Sequence, residues 1–210
     1  MHRYLPDTLP AEVRHYVRDA VLAGEASHGV VRLRGDLKDM PFENPKLGEF
    51  RVSAQVAQGH YAYVPPAPVR SKATPAPAWP ALKDVTGELV FDRNSFGFQG
   101  RTQLAGAPDV IWQKVGVRIP DLTHSVVDVT GEGGGPLAQV LQVVANSALN
   151  ELTGTVLNKS QATGSAQYKL ALRLPLDQLH LSKVEGSVTF ADNTLQVLPG
   201  KPVLQKTRGT

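Results

Sequence analysis

Most of the chain alternates between apolar and polar residues. In the stretch 48–56, GEFRVSAQV, every second residue from Phe50 onward is apolar and the residues between are polar. The stretch 165–174, SAQYKLALRL, alternates in the same way, and so do the shorter stretches 29–37 and 113–119. Side chains of successive strand residues point to opposite faces, so this period predicts antiparallel β-strands with one dry and one wet face.

Two segments depart from this period and predict short helices. The first lies near 10–23, with Pro10 at its first position and Gly24 closing its C-terminus. The second lies near 136–149 and begins at Pro136. Each carries one apolar stripe at helical spacing, formed in the first by Val13, Tyr16, Val17, Ala20 and Val21 and in the second by Leu137, Val140, Leu141, Val144 and Ala148.

Two similar stretches stand 99 residues apart. The residues 85–98 read VTGELVFDRNSFGF and the residues 184–197 read VEGSVTFADNTLQV. Each predicts a β-hairpin, with its turn at Asn94 in the first and at Asn193 in the second. The spacing is consistent with a large repeat unit in a longer chain.

The predicted strands pose a burial problem. Two short helices cannot cover roughly ten strands that each have an apolar face, and exposed apolar surface costs about 25 cal/mol per Å². The sheet can close into a barrel, pack on a second sheet as a sandwich, or curl around something apolar that is not protein. Hydrophobic residues make up 41% of the chain and aromatic residues 6%, which fits all three solutions.

Composition and motifs supply no catalytic site. The stretch 131–135 lies in GEGGGP, where a dinucleotide fingerprint would need glycine at Pro136 and a phosphate loop would need Gly-Lys-Ser/Thr. We therefore interpret it as a flexible strand-to-helix corner. The six histidines are scattered, cysteine is absent, and no nucleophile elbow occurs, so we expect no enzyme activity, no cofactor and no metal site.

The charge is mild and spread over the predicted wet faces. The net charge of +3 comes without a clustered basic stripe, so nucleic acid is not an expected partner. The basic side chains on strands either keep the wet faces soluble or attract lipid phosphates, and they comprise Arg32, Arg34, Arg51, Lys114, Arg118, Lys169 and Arg173. No stretch reaches the ~20 apolar residues that span a bilayer.

Four stretches, in this order, resemble the YhdP family of AsmA-like proteins. They are LPAEVRHYVRDAVLAGEASHGVVRLRGDLKDMPF at 9–42, WPALKDVTGELVFDRNSF at 79–96, VTGEGGGPLAQVLQVVANSAL at 129–149 and LPLDQLHLSKVEGSVTFADNTL at 174–195. The resemblance implies a mainly β fold in which curved antiparallel sheet forms an open hydrophobic groove. It also implies a periplasmic bridge that moves phospholipid between the inner and outer membranes without any reaction.

The resemblance further implies an organisation for the chain. Residues 1–210 would be one segment of a larger periplasmic region, tethered to the inner membrane through a segment absent from this chain. The parts would be a helix and strands at 1–64, a Pro-rich loop at 65–80, strands at 81–135, a crossing helix at 136–150 and strands of the next repeat at 151–210. The loop is predicted from its prolines, which cannot donate to a sheet, and it is either a domain boundary or a long insertion between two strands. The expected partners are phospholipid acyl chains and, through the missing parts of the parent protein, the two membranes.

The candidate lipid-binding residues are those on the predicted dry faces. They are Val31, Leu33, Phe50, Val52, Val56, Leu89, Phe91, Val115, Val117, Tyr168, Leu170, Leu172, Val188 and Phe190. The alternative is a structural β-sandwich that binds a protein partner in the cell envelope. A continuous apolar channel would favour the lipid-binding segment, and a closed sandwich would favour the alternative.

Overall fold

A computed structural model describes residues 11–65, 78–124, 126–152 and 156–210. Most of the predicted Pro-rich loop at 65–80 lies outside these ranges. The regular elements are α1 (Ala11–Ala20), β1 (Val21–Gly35), β2 (Gly48–Tyr61), β3 (Leu82–Asp92), β4 (Ser95–Leu104), β5 (Ala107–Ile119), β6 (Val126–Pro136), α2 (Leu137–Ala145), α3 (Leu149–Leu152), β7 (Gln161–Thr163), β8 (Ser165–Pro175), β9 (Lys183–Gln196) and β10 (Leu204–Gly209).

The ten strands form one antiparallel sheet that does not close. Its order is β1-β2-β3-β4-β5-β6-β8-β9-β10, and the short β7 pairs with β9. The strands β1 and β10 stand at the two edges. The prediction of a mainly β protein with an open antiparallel sheet and short helices is confirmed. Neither a closed barrel nor a second sheet occurs among the described residues.

The first helix is shorter than the predicted 10–23. It ends at Ala20, whose carbonyl accepts a hydrogen bond from the Ala62 amide at 2.8 Å, and from Val21 the chain belongs to β1. Gly24 is therefore a strand residue and not a helix terminus, so that prediction is wrong. Its φ of +139° and the 3.0 Å from an added Cβ to the Gly59 Cα show a close approach of two backbones.

The second helix also differs from the predicted 136–149. Pro136 is the last residue of β6, the helix covers Leu137–Ala145, and the single turn α3 follows. The glycines before it do not form a flexible corner. They continue the strand in register with β8 as far as Pro136. Glycine is needed at Gly133 because an added Cβ would lie 2.5 Å from the Ile111 carbonyl oxygen.

Only the first of the two predicted hairpins forms. The strands β3 and β4 are joined by a tight turn at Arg93–Asn94, as predicted. The second stretch is one continuous strand, β9, so the turn predicted at Asn193 is wrong. Asn193 is fully buried, and its side chain accepts a hydrogen bond from the Ala191 amide at 2.8 Å and donates one to the Thr163 carbonyl at 3.0 Å. These bonds stabilise a β-bulge at this position, so β9 continues instead of turning.

The helix α2 covers one end of one face of the sheet. Its buried residues Leu137 and Val143 pack in a cluster with residues of β5 and β8. Tyr168 of β8 belongs to this cluster, and its hydroxyl donates a hydrogen bond to the Gly135 carbonyl at 3.1 Å. The cluster consists of Ala107, Val110, Leu137, Val143, Ala166 and Tyr168. The part of the sheet that α2 covers therefore ends at this core.

Candidate functional site: an open apolar face

The sheet register gathers apolar side chains on one face. Residues that pair directly across antiparallel strands project to the same side of the sheet. Three rows of partners cross the sheet in this way. They run Val31–Val52–Phe91–Phe96–Ile119, then Ala54–Leu89–Phe98–Val117–Val129–Leu172–Val184, then Val56–Gly87–Gly100–Val115–Gly131–Leu170–Gly186.

We call this surface the apolar face. It also includes Leu33 paired with Phe50 at one end and Tyr168 paired with Val188 at the other. The register thus places on one face all of the residues that the sequence predicted for lipid contact. Phe190, which pairs with Ala166, completes the set next to the core beneath α2.

The apolar face is left open beyond α2. No second sheet packs on it within the described residues, where the strands contact mainly their neighbours in the sheet and α2. Near the edges its side chains are strongly exposed: Val31 and Val184 are each 67% exposed and Leu33 is 51% exposed. Across the middle of the sheet they are half-buried by one another.

The opposite face carries charge and pairs it internally. Glu132 on β6 lies between Lys114 of β5 at 3.2 Å and Lys169 of β8 at 3.5 Å. These lysines, Lys114 foremost, lower the pKa of the Glu132 carboxyl. Arg173 contacts Asp128 at 3.4 Å, and Arg51 contacts Asp92 at 2.9 Å. We call this surface the polar face.

A cavity of about 1060 Å³ opens along the polar face. The charged side chains along it are of both signs and comprise Arg101, Lys114, Glu132, Lys169 and Glu185. This cavity could not be predicted from the sequence, because an alternating pattern separates the two faces but does not show which way the sheet bends. The cavity is also lined by Val115 and Leu170, which belong to the third apolar row.

A cluster of polar-tipped aromatic side chains lies where α1 meets β2. The Tyr16 and Tyr61 hydroxyls are 2.7 Å apart, and Tyr16 also donates to the Tyr63 carbonyl at 3.0 Å. Burial raises the pKa of Tyr61, with the Tyr16 hydrogen bond as a second cause, and burial raises the pKa of Tyr63 to about 12. Trp79 stands edge-on to Tyr63 with 6.1 Å between ring centroids.

Groups suited to metal binding are dispersed. In the described ranges no three His, Asp or Glu side chains come together in a way that could hold a metal ion. The same ranges contain no helix with the length and apolarity needed to cross a membrane.

The fold and this surface together define a class of protein: an open β-sheet that presents a continuous apolar surface on one face and paired charges on the other. A family model described as "YhdP protein" matches residues 1–210, and the chain belongs to that family. Membership indicates an envelope-associated protein of the lipid-transport type. Neither the curated proteins nor the solved structures gave a significant match.

Proposed function

We propose that the chain binds phospholipid acyl chains on its apolar face, as a segment of a periplasmic bridge that moves phospholipid between the inner and outer membranes. The observation that carries the proposal is the apolar face itself, over which the described residues place no protein layer beyond α2. From β1 to β9 the sheet order makes seven steps, or about 34 Å at ~4.8 Å per step. Family membership supports a lipid as the occupant.

The physical gain comes from removing hydrocarbon from water. Each methylene that an acyl chain buries contributes about 0.8 kcal/mol. The rows of Val, Leu and Phe side chains offer a non-directional surface, so a chain can shift from one strand to the next without breaking a hydrogen bond. Transport along such a surface is passive sliding, with the head group in water, and needs no reaction.

Neighbouring residues on β2 offer a direct test, because Val52 lies on the apolar face and Ser53 on the polar face. A photoreactive benzoylphenylalanine is introduced at Val52 or at Ser53, and the protein is irradiated in a Gram-negative host. We expect crosslinked phospholipid at position 52 and little at position 53, as detected by mass spectrometry.

Other products of this experiment would contradict the proposal. A protein crosslinked at position 52 in place of lipid would favour the structural module that binds a protein partner. Equal lipid crosslinking at both positions would show that the two faces do not differ in lipid contact.

A further inference from the structure

The aromatic residues are sorted along the strands by whether they carry a polar group. Every tyrosine and tryptophan of the described ranges lies toward the end of the sheet where α1 and α2 pack. Tyr16 bonds to Tyr61 near the end of β2, Trp79 and Tyr63 flank the β2–β3 connection, and Trp112 and Tyr168 border the core beneath α2. We call this the Tyr–Trp end.

Phenylalanines gather toward the opposite end of the strands. Phe91 pairs with Phe96 beside the β3–β4 turn, with 5.0 Å between ring centroids. Phe50 is near the start of β2, and the buried Phe42 ring packs against Gly48. We call this the Phe end. Among the described phenylalanines, Phe190 alone lies at the Tyr–Trp end.

Trp112 marks the border between the core and the open part of the apolar face. On one side it packs on the core, with its ring centroid 6.2 Å from that of Tyr168. On the other side its ring leans over Gly131, where an added Cβ would lie 2.9 Å from Cε3. Its indole Nε1 is buried and has no hydrogen-bond acceptor in the structure. Buried N–H groups almost always have a partner, so this donor is suited to an acceptor that the protein does not supply.

We propose that a phospholipid lies on the apolar face in one orientation, with its ester and head-group region at the Tyr–Trp end and its acyl chains directed to the Phe end. This inference rests on the proposed function. Tyrosine and tryptophan are favoured where one end of a side chain is apolar and the other wet, whereas phenylalanine has no polar group to satisfy. An ester carbonyl supplies the oxygen that the Trp112 N–H lacks, once the indole turns toward the ligand.

The dimensions of the face agree with this orientation. Trp112 pairs with Thr102 of β4, and Phe96 lies six residues earlier on the same strand. At ~3.3 Å per residue this separation is about 20 Å. One leaflet of a bilayer contributes about 15 Å of hydrocarbon, half of the ~30 Å core, so acyl chains of ordinary length fit between the two ends.

Fluorescence quenching by spin-labelled lipids reads out the orientation. In the Trp79→Phe variant Trp112 is the sole tryptophan of the chain. The protein is loaded with phosphatidylcholine that carries a nitroxide at carbon 5 or at carbon 16 of one acyl chain, and free lipid is removed by gel filtration. We expect the carbon-5 label to quench Trp112 at least about twofold more than the carbon-16 label, because carbon 5 stays near the ester.

A mirror variant serves as the control. The variant with Trp79→Phe, Trp112→Phe and Phe96→Trp moves the fluorophore to the Phe end, where the carbon-16 label should quench more strongly. If this variant does not fold by circular dichroism, Phe91→Trp in the same background reports from the paired position on β3.

The possible failures are distinguishable. Bound lipid that quenches Trp112 of the Trp79→Phe protein equally from both labels, or more strongly from carbon 16, would overturn the orientation and leave the proposed function standing. Failure of lipid to co-elute with the protein, together with no quenching from either label, would overturn both.

Discussion

At the scale of single residues, the glycines of β6 determine where large side chains can lie. Gly131 sits in the third apolar row, and the Trp112 ring occupies the space that a side chain would fill. Neither of the two residues was assigned this role from the sequence, because the glycines look like a loop and a lone tryptophan on an alternating strand has no distinguishing pattern. The contact depends on the register between β5 and β6, which the sequence does not show.

The variant Gly131→Ala tests this contact. The added Cβ would lie 2.9 Å from Cε3 and 3.0 Å from Cζ3 of Trp112, so the ring must shift away from its packed position. We expect the free energy of unfolding in urea to fall by about 1–3 kcal/mol. Gly97→Ala is the matched control, since the nearest neighbour of its added Cβ is the Val117 carbonyl oxygen at 4.0 Å. The control should be neutral or gain up to about 1 kcal/mol, and equal losses in both variants would contradict the account.

Asp121 gives a second prediction at this scale. Its carboxylate accepts from the Thr123 hydroxyl at 2.6 Å, the Thr123 amide at 2.8 Å, the Asn94 amide group at 2.6 Å and the His124 ring at 3.0 Å. The Thr123 hydroxyl foremost, then the Thr123 amide and the His124 ring, lower the pKa of Asp121 from 3.8 to about 2. A lowered pKa in the folded state means that the stabilisation is complete above the unfolded value and is lost as the pH falls toward 2.

The difference in free energy of unfolding between the wild type and the variant Asp121→Asn should show this pH dependence. We expect the wild type to be more stable by a margin that is constant above about pH 5 and shrinks between about pH 4 and pH 2. Urea unfolding of both proteins across this range measures the margin. A margin that stays constant to pH 2, or that grows, would show that the carboxylate is not held by these bonds.

At the scale of elements, the alternating strands were predictable and the places where they bend or switch partners were not. Period-two alternation alone placed the side chains of β2 and β8 on their observed faces, because burial of one face fixes that period. The end of α1 at Ala20 depends on a hydrogen bond to Ala62, and the straight passage of β9 through Asn193 depends on a bond to Thr163. Both bonds join residues at least 30 positions apart, so local propensity could not reveal them.

The strand β8 provides a matched pair of variants for lipid binding. Leu170 lies in the third apolar row between two glycines, whereas the adjacent Ala171 lies on the polar face opposite Glu185. A lysine among acyl chains must leave water without a partner, so we expect Leu170→Lys to lower lipid occupancy at least about tenfold, or about 1.4 kcal/mol. Ala171→Lys gains a carboxylate neighbour and should keep the wild-type occupancy.

Occupancy is measured as phospholipid per protein after purification, with circular dichroism to establish that both variants are folded. Normal lipid loading of a folded Leu170→Lys protein would remove this row from the binding surface. Equal losses in both variants would point to a general effect of added charge on the sheet.

At the scale of the whole molecule, the open sheet answers the burial problem that the sequence posed. A barrel or a sandwich would cover the apolar face with protein. The described residues form neither of them, because α2 covers one end of the face and the rest is left open. The two faces therefore have separate roles in the account. The apolar face meets hydrocarbon, and the polar face keeps its charges in internal pairs such as the two lysines on Glu132.

The most direct test of the central claim is native mass spectrometry, with lipid extraction, of the 210-residue chain purified from a Gram-negative host. The account predicts phospholipid bound at a defined stoichiometry, lost on extraction with organic solvent. A folded, monomeric protein that carries no lipid and takes up none from phospholipid vesicles would contradict it.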